Sequence, residues 1–114
     1  MRRHSVIARL DGIEVARTER ALRLEGNYYI PEEDVTAELR PSMLTTLCVW
    51  KGVARYRHLE LRGRTLSDAA WIYPLPSPLA WSIRGMIAFV PGRGLVVSTE
   101  ETPEPWTVES SDSA

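Results

Sequence analysis

The sequence predicts a single, mainly β domain built from one antiparallel sheet, arranged as a roll, a sandwich or a small barrel-like domain. Seven or eight short stretches alternate in polarity or are rich in β-branched and aromatic residues, and turn residues separate them. No strand–helix–strand unit is visible. A chain of 114 residues is long enough to bury one hydrophobic core.

Four strands are predicted in the first third of the chain. Val6 to Leu10 and Ile13 to Arg17 flank Asp11-Gly12, a dipeptide typical of a two-residue hairpin because both positions tolerate positive φ. A third strand is expected at 22–24 and, after a turn at 26–27, a fourth at 28–30. The chain is therefore expected to open with a β-hairpin.

One short helix is expected after these strands. Pro31 would stand in its first turn, and the acidic run 32–34 would lie near the positive end of the helix dipole. Val35 and Leu39 lie four residues apart and could bury one face. Pro41 limits this helix to about two turns, because the residue before a proline is pushed toward an extended conformation.

The rest of the chain predicts further strands and a tail. Strands are expected at 45–50, 53–61, 66–73, within 81–90, and at 95–98. Prolines 74, 76 and 78 impose a stiff connection, since proline is excluded from central strands. We expect residues 1–98 to form the β domain and residues 99–114 to form an acidic, mobile C-terminal tail.

Composition narrows the functional classes. Hydrophobic residues make up 44% and charged residues 25%, as in an ordinary globular protein, and no apolar run could cross a membrane. The single cysteine excludes an intramolecular disulfide and a multi-cysteine zinc site. With only two histidines, neither a metal nor a cofactor is expected. The apolar stretch near the N-terminus is too short for a signal peptide, so a cytoplasmic location is predicted.

Charge is distributed unevenly along the chain. The formal net charge is -1, but five acidic residues and no basic residue follow Ser98. Thirteen of the 14 basic residues are arginine, and Lys51 is the only lysine. Arginine binds carboxylates and phosphates in a planar fork, so the body could favour anions, although a solvated surface is the simpler interpretation. The near-zero net charge and the acidic tail argue against nucleic acid as a partner.

Two tryptophan-bearing segments carry a family resemblance. They read TLCVWKGVARY at Thr46–Tyr56 and AAWIYPLP at Ala69–Pro76, with YYIPEEDV upstream at Tyr28–Val35 and IAF downstream at Ile87–Phe89. In order and spacing they resemble the bacterial family called domain of unknown function 427, over roughly residues 6 to 98. The resemblance implies a compact β domain. This chain has Leu47 and Val49 where family members commonly have tyrosine and proline.

Members of that family are often labelled nucleotidyltransferases. Two-metal nucleotidyl transfer needs clustered carboxylates and a phosphate-binding Gly-Ser turn. Here Asp68 stands alone in its segment, no Gly-Ser pair occurs, and neither a phosphate loop nor a dinucleotide fingerprint is present. The sequence therefore offers little support for the label.

Four residues are candidates for catalysis. Cys48 could act as a nucleophile if a cation lay nearby, although a lone cysteine in a strand is usually a small buried hydrophobe. Lys51 could bind an anion, act as a desolvated base, or end a strand in water. His58 could pair with Glu60 or Asp68 in acid–base chemistry or lie on a solvated face. Tyr56 could orient a substrate through its hydroxyl.

The candidate ligand-binding residues are mostly aromatic: Tyr29, Trp50, Trp71 and Tyr73, together with Arg55. Aromatic rings can pack in a core or form the walls of a pocket for an apolar or conjugated ligand. Both possibilities stay open at this point.

Three functional hypotheses follow. The first is a small-molecule-binding β domain with an aromatic pocket, extending to a cofactor-free enzyme that isomerises or cyclises its substrate by enclosure. The second is a non-catalytic module that pairs with itself as a homodimer, or with another protein, through a strand edge or an aromatic patch. The third is nucleotide chemistry, as the family label suggests.

Overall fold

Eight strands form one antiparallel sheet that curls into a half-barrel, which confirms the predicted mainly β fold class. This structure is a computed structural model, and it describes residues 2–99. The strands are β1 (Arg3–Leu10), β2 (Ile13–Leu24), β3 (Asn27–Pro31), β4 (Glu38–Cys48), β5 (Gly52–Leu61), β6 (Arg64–Ile72), β7 (Met86–Phe89) and β8 (Leu95–Thr99). Within the described range, the helical segments are two 3₁₀ helices, Glu32–Asp34 and Pro78–Ile83. Thr99, the first residue of the predicted acidic tail, ends β8, and the rest of that tail lies outside the described residues.

The strand order is β4-β5-β6-β7-β3-β2-β1-β8. Tight turns join β1 to β2, β2 to β3, β4 to β5 and β5 to β6, so these neighbours in sequence are also neighbours in the sheet. The pairing of β3 with β7 joins the β4-β5-β6-β7 half of the sheet to the β3-β2-β1-β8 half. As a consequence β4 and β8 are its two edge strands.

Three tight turns share one backbone conformation. Asp11-Gly12, Glu25-Gly26 and Arg62-Gly63 all have positive φ at both residues, near 50° and then 82°. This is the hairpin turn whose twist matches the twist of the flanking strands. The prediction at Asp11-Gly12 is confirmed, and the turn expected at Gly26-Asn27 lies one residue earlier. The turns at 25–26 and 62–63 lack the Asn or Asp that signals such a turn in a sequence.

The predicted two-turn helix is wrong in extent. Glu32–Asp34 form a single 3₁₀ turn, and Val35 is already extended, with φ -92° and ψ 124°. Val35 forms a β-bridge with Ala16, and the Thr36 N–H donates to the Val15 carbonyl at 2.8 Å. Pairing with β2 therefore overrides the local helix signals of the acidic run.

The sheet has a hydrophobic cluster on each face. The inner cluster takes residues from seven strands, among them Val6, Leu10, Val15, Ile30, Leu59, Ile72, Ile87, Phe89 and Leu95. Strands so far apart in the sheet can meet only on its concave side. The outer cluster contains Tyr29, Ala54, Tyr73 and Ala88 from the sheet, with Ala80 and Ile83 from the second 3₁₀ helix. That helix therefore covers part of the convex face.

Candidate functional site

Lys51 lies in the turn between β4 and β5, and its side chain is buried. The residue is 6% exposed, and its ammonium forms an ion pair with the carboxylate of Glu25, in the β2–β3 turn. The same carboxylate accepts a hydrogen bond from Trp50 Nε1 at 3.0 Å. Lys51 Nζ lies 5.5 Å from the Trp50 ring centroid and 5.7 Å from that of Tyr73, within the range of cation–π attraction. One carboxylate and two aromatic rings thus hold the ammonium.

This arrangement keeps Lys51 charged. Burial by itself lowers the pKa of the ammonium, but the hydrogen bond with Glu25 and the nearby tyrosines outweigh it, so the pKa of Lys51 lies above its ordinary value. The hydrogen bond from Lys51, followed by the one from Trp50, lowers the pKa of Glu25. The geometry favours a fixed cation over a neutral lysine that could act as a general base.

The predicted aromatic residues pack against one another on the convex face. Trp71 Nε1 donates to the Tyr29 hydroxyl at 3.3 Å, and their rings meet edge to face. The Tyr56 and Trp71 centroids are 6.0 Å apart, and those of Tyr29 and Tyr73 are 6.4 Å apart. Tyr29 is 0% exposed and Tyr73 5%, and burial raises the pKa of both hydroxyls. These two rings are core side chains.

Ser77 ties the two tryptophan-bearing segments together. Its N–H donates to the carbonyl of Lys51 at 2.8 Å, and its hydroxyl donates to the carbonyl of Trp50. Gly52 suits this position because its φ of +118° is a conformation that side-chain-bearing residues rarely adopt, and its Cα side lies against Leu75 and Pro76. The β4–β5 turn is therefore held against the proline-rich connection that follows β6.

The structure places Cys48 and His58 far apart. Cys48 is opposite Gly52 at one end of the β4–β5 ladder, and its partly buried side chain packs against the outer cluster. His58 is opposite Arg40 toward the other end. Six residues along β5 separate Gly52 from His58, about 20 Å in an extended strand. His58 therefore cannot activate Cys48.

His58 instead interacts with Asp68, one of its two predicted partners. The Asp68 N–H donates to His58 Nδ1 at 3.0 Å, and an oxygen of the Asp68 carboxylate lies 3.8 Å from that nitrogen. Ser42 donates its hydroxyl hydrogen to the same carboxylate. Glu60, the other predicted partner, accepts from Arg40 at 2.9 Å. Nδ1 of His58 accepts a hydrogen bond here. In a catalytic triad the histidine Nδ1 instead donates a hydrogen bond to the aspartate carboxylate, so His58 and Asp68 do not have the triad arrangement.

A cleft lies at the β4 end of the concave face. Its volume is about 400 Å³, and it is lined by Leu39, Pro41, Ser42, Arg55, Tyr56, Arg57, Ile72 and Pro74. Arg55 is directly opposite Ile72 in the ladder and therefore shares its face, that of the inner cluster. A second cleft of about 280 Å³, lined by Val53 and Leu75, shares Arg55 and Pro74 with the first. Arg55 thus lies where two clefts meet.

The two arginines of the cleft differ in their partners. Arg57 Nη1 donates to Glu32 Oε2 at 2.8 Å, which neutralises part of its charge. Arg55 is exposed and forms no hydrogen bond or ion pair with any residue from 2 to 99. The cleft therefore combines apolar walls with one guanidinium that no carboxylate of the described chain holds.

The sequence that contains these sites resembles known proteins over nearly its whole length. A family model named NTP_transf_9 and described as Domain of unknown function (DUF427) matches residues 1–101. This chain belongs to the DUF427 family. No curated protein matches the chain.

The two positions at which this DUF427 chain departs from the resemblance lie next to the Lys51 turn. Leu47, near the end of β4, is 73% exposed, and Val49, in the turn, is 97% exposed. Neither side chain contributes to the outer cluster. Both positions therefore lie on the surface near the β4 edge, and neither side chain takes part in the Lys51–Glu25 pair.

The described residues of this DUF427 chain contain neither a metal site nor a membrane-spanning helix. From residue 2 to residue 99, no three histidine, cysteine, aspartate or glutamate side chains come close enough together to hold a metal ion. None of the helical segments described has the length and apolar character required to cross a bilayer.

Three residues of these sites were missed from the sequence: Glu25, Ser42 and Ser77. Each lies in a turn, a bulge or a loop, and each contacts residues about 26 positions away. The spacing of residues along the chain does not predict contacts between residues that are so far apart in sequence. Glu25 could have been suspected, because a single lysine in an aromatic environment requires a counter-charge when it is buried.

Proposed function

We propose that this protein binds a small organic anion in the cleft between β4, β5 and β6. The observation that supports the proposal is the exposed guanidinium of Arg55, which has no partner between residues 2 and 99 and lies at the junction of two clefts. A guanidinium presents a planar fork of donors that matches a carboxylate or a phosphate. An anion bound there would replace the water that now solvates Arg55.

The walls of the cleft define the rest of the ligand. Leu39, Ile72 and Pro74 offer apolar contacts, and the neighbouring cleft adds Val53 and Leu75. A volume of about 400 Å³ falls within the range of ordinary small-molecule sites. The ligand class is therefore a carboxylate or phosphate monoester whose body is aliphatic or aromatic.

The proposed binding site is the cleft at Arg55, which differs from the aromatic pocket predicted from the sequence. Tyr29 and Tyr73 are buried in the outer cluster, and Tyr56 packs against that cluster while also bordering the cleft, whereas Arg55 lines the cleft from the other face. Of the four catalytic candidates, Tyr56 borders this cleft, and Lys51 is held by Glu25 on the opposite face of the sheet. We propose binding as the function and assign no reaction to it.

A ligand panel tests the proposal directly. Native mass spectrometry and isothermal calorimetry would compare aliphatic and aromatic carboxylates, phosphate monoesters, and nucleotides with and without Mg²⁺. We expect the anions with an apolar body to bind and the matched neutral amides or alcohols to bind at least about tenfold more weakly. Mg²⁺-dependent turnover of a nucleotide would support the family label instead.

Arg40→Gln provides a matched control for Arg55→Gln. Both changes remove one positive charge from an exposed arginine of the β4–β5 ladder, but Arg40 pairs with Glu60 and does not line the cleft. We expect Arg55→Gln to abolish anion binding and Arg40→Gln to preserve it. Equal losses would mean that only overall charge matters, and unchanged binding in Arg55→Gln would refute the proposal.

A further inference from the structure

A third cleft adjoins the cleft of about 400 Å³ that Arg55 lines, which is therefore the central one of three. The third cleft has a volume of about 170 Å³ and is lined by Glu32, Val35, Ala37, Leu39 and Arg57. It shares Leu39 and Arg57 with the central cleft. The central cleft shares Arg55 with the cleft at its other end. The three clefts together form one groove, with an arginine at each of the two junctions.

The two junction arginines lie on one face of β5. Arg55 is opposite Ile72 and Arg57 is opposite Ala70 in the ladder, and residues two apart in a strand point to the same side. Their Cα atoms are about 7 Å apart in an extended strand. Both line the central cleft, but each also borders a different neighbouring cleft. This places the two cations toward opposite ends of a cleft whose other walls include apolar side chains.

Arg57 retains most of its hydrogen-bonding capacity. Its Nη1 donates to Glu32 Oε2 at 2.8 Å, and its other N–H groups have no partner among residues 2–99. The Glu32 side chain is 53% exposed, so water solvates its carboxylate when the arginine turns away. Ion pairs at the surface contribute little to stability. Arg57 can therefore exchange Glu32 for an anionic group of a ligand at little cost in free energy.

We propose that the groove selects ligands with an anionic group at each end of an apolar chain, one bound by Arg55 and the other by Arg57. This inference rests on the proposed function, since Arg55 is the anion site of that proposal, and it adds a second anchor. The carboxylate of Glu32 lies in the cleft beyond Arg57 and repels a charged group that extends past the arginine. The ligand class is therefore a short linear dianion such as a dicarboxylate, with its charges on the order of 7 Å apart.

Isothermal calorimetry with linear dicarboxylates from succinate to suberate tests the inference. Each diacid is compared with its monomethyl ester, which has nearly the same chain and one charge fewer. We expect the best diacid to bind about tenfold more tightly than its ester, and shorter or longer diacids to show a smaller preference. Equal binding of diacids and esters would overturn this inference and leave the proposed function standing. If no diacid or ester binds, this inference is wrong, and the proposed function is wrong as well when the other anions of the ligand panel also fail.

Two variants should change the preference in opposite directions. Arg57→Gln removes the second guanidinium, so the affinity ratio of diacid to ester should fall from about ten to about one. Glu32→Gln removes the competing carboxylate, so the ratio should rise about threefold. Glu60→Gln is the matched control, because it breaks the Arg40–Glu60 ion pair, which does not line the groove, and should leave the ratio unchanged.

Circular dichroism would verify that the three variants fold. A ratio that survives Arg57→Gln, or that rises no more in Glu32→Gln than in Glu60→Gln, would overturn the assignment of Arg57 as the second anchor.

Discussion

Lys51 and Arg55 lie four residues apart in the same hairpin, on opposite faces of the sheet, and their surroundings differ completely. Lys51 is 6% exposed, paired with Glu25, and flanked by the rings of Trp50 and Tyr73. Arg55 is exposed on the concave side, with apolar neighbours and no carboxylate of the described chain in contact.

Lys51 is a structural cation that is bound within the protein, whereas the Arg55 cation is exposed and has no partner among residues 2–99. A buried charge is tolerated only when a counter-charge and hydrogen bonds replace its water, and Lys51 has both. Its interactions join the β2–β3 and β4–β5 turns. Arg55 keeps its hydrogen-bonding capacity within the described chain, because no side chain from residue 2 to residue 99 pairs with it.

Removal of the lysine side chain should have the largest effect. We expect Lys51→Ala to lower the free energy of unfolding by about 2–3 kcal/mol, because the buried stem loses its packing and the two turns lose their link. Urea unfolding measures the change. Lys51→Met keeps the stem and should cost clearly less. A cost for Lys51→Ala within about 0.5 kcal/mol of wild type would show that the pair is not structural.

The Tyr29 hydroxyl should matter less. Tyr29→Phe removes the acceptor of the Trp71 Nε1–H bond inside the outer cluster, and we expect a loss of about 1 kcal/mol in urea unfolding. Tyr28→Phe is the control, since the Tyr28 hydroxyl bonds to no residue from 2 to 99. The hydrogen bond would be irrelevant to stability if both variants behaved alike.

Alkaline pH should weaken the same region. Burial raises the pKa of Tyr29 and Tyr73, and the pairing with Glu25 raises that of Lys51 despite its burial. The folded state therefore holds these protons more tightly than the unfolded state. Their stabilisation is complete below about pH 10 and declines as the pH rises further. Unfolding measured across that range should show the decline, and Tyr29→Phe or Tyr73→Phe should reduce it. An unchanged pH profile in both variants would contradict the assignment.

The smallest effect on stability is expected at Arg55. Arg55→Ala removes an exposed side chain that has no partner among residues 2–99, so the free energy of unfolding should change by no more than about 0.5 kcal/mol. Thermal and urea unfolding would detect a larger change. A cost comparable with that of Lys51→Ala would mean that Arg55 has a structural role and would weaken the case for a ligand at the cleft.

Much of the fold could be predicted from the sequence, because the signals are local. Alternating residues and the Asp11-Gly12 turn predict the first hairpin, which the ladder from Ile7 to Arg17 confirms. The turns at 25–26 and 62–63 were harder to locate, since Glu and Arg rarely adopt positive φ and their conformation depends on the strands around them. The helix after Pro31 was overestimated because the bridge from Val35 to Ala16 is a long-range contact.

By itself, the sequence determined the β fold class and the family, because polarity patterns, turn residues and motifs are all local features of the sequence. Only the tertiary structure decided which face each residue occupies and which charge has a partner. Glu25 reaches Lys51 and Ser42 reaches Asp68 across turns and strands about 26 residues apart. Tyr29 is buried in the outer cluster, to which the second 3₁₀ helix contributes, whereas Arg55 on the other face stays exposed, since strand alternation assigns a face but not what covers it.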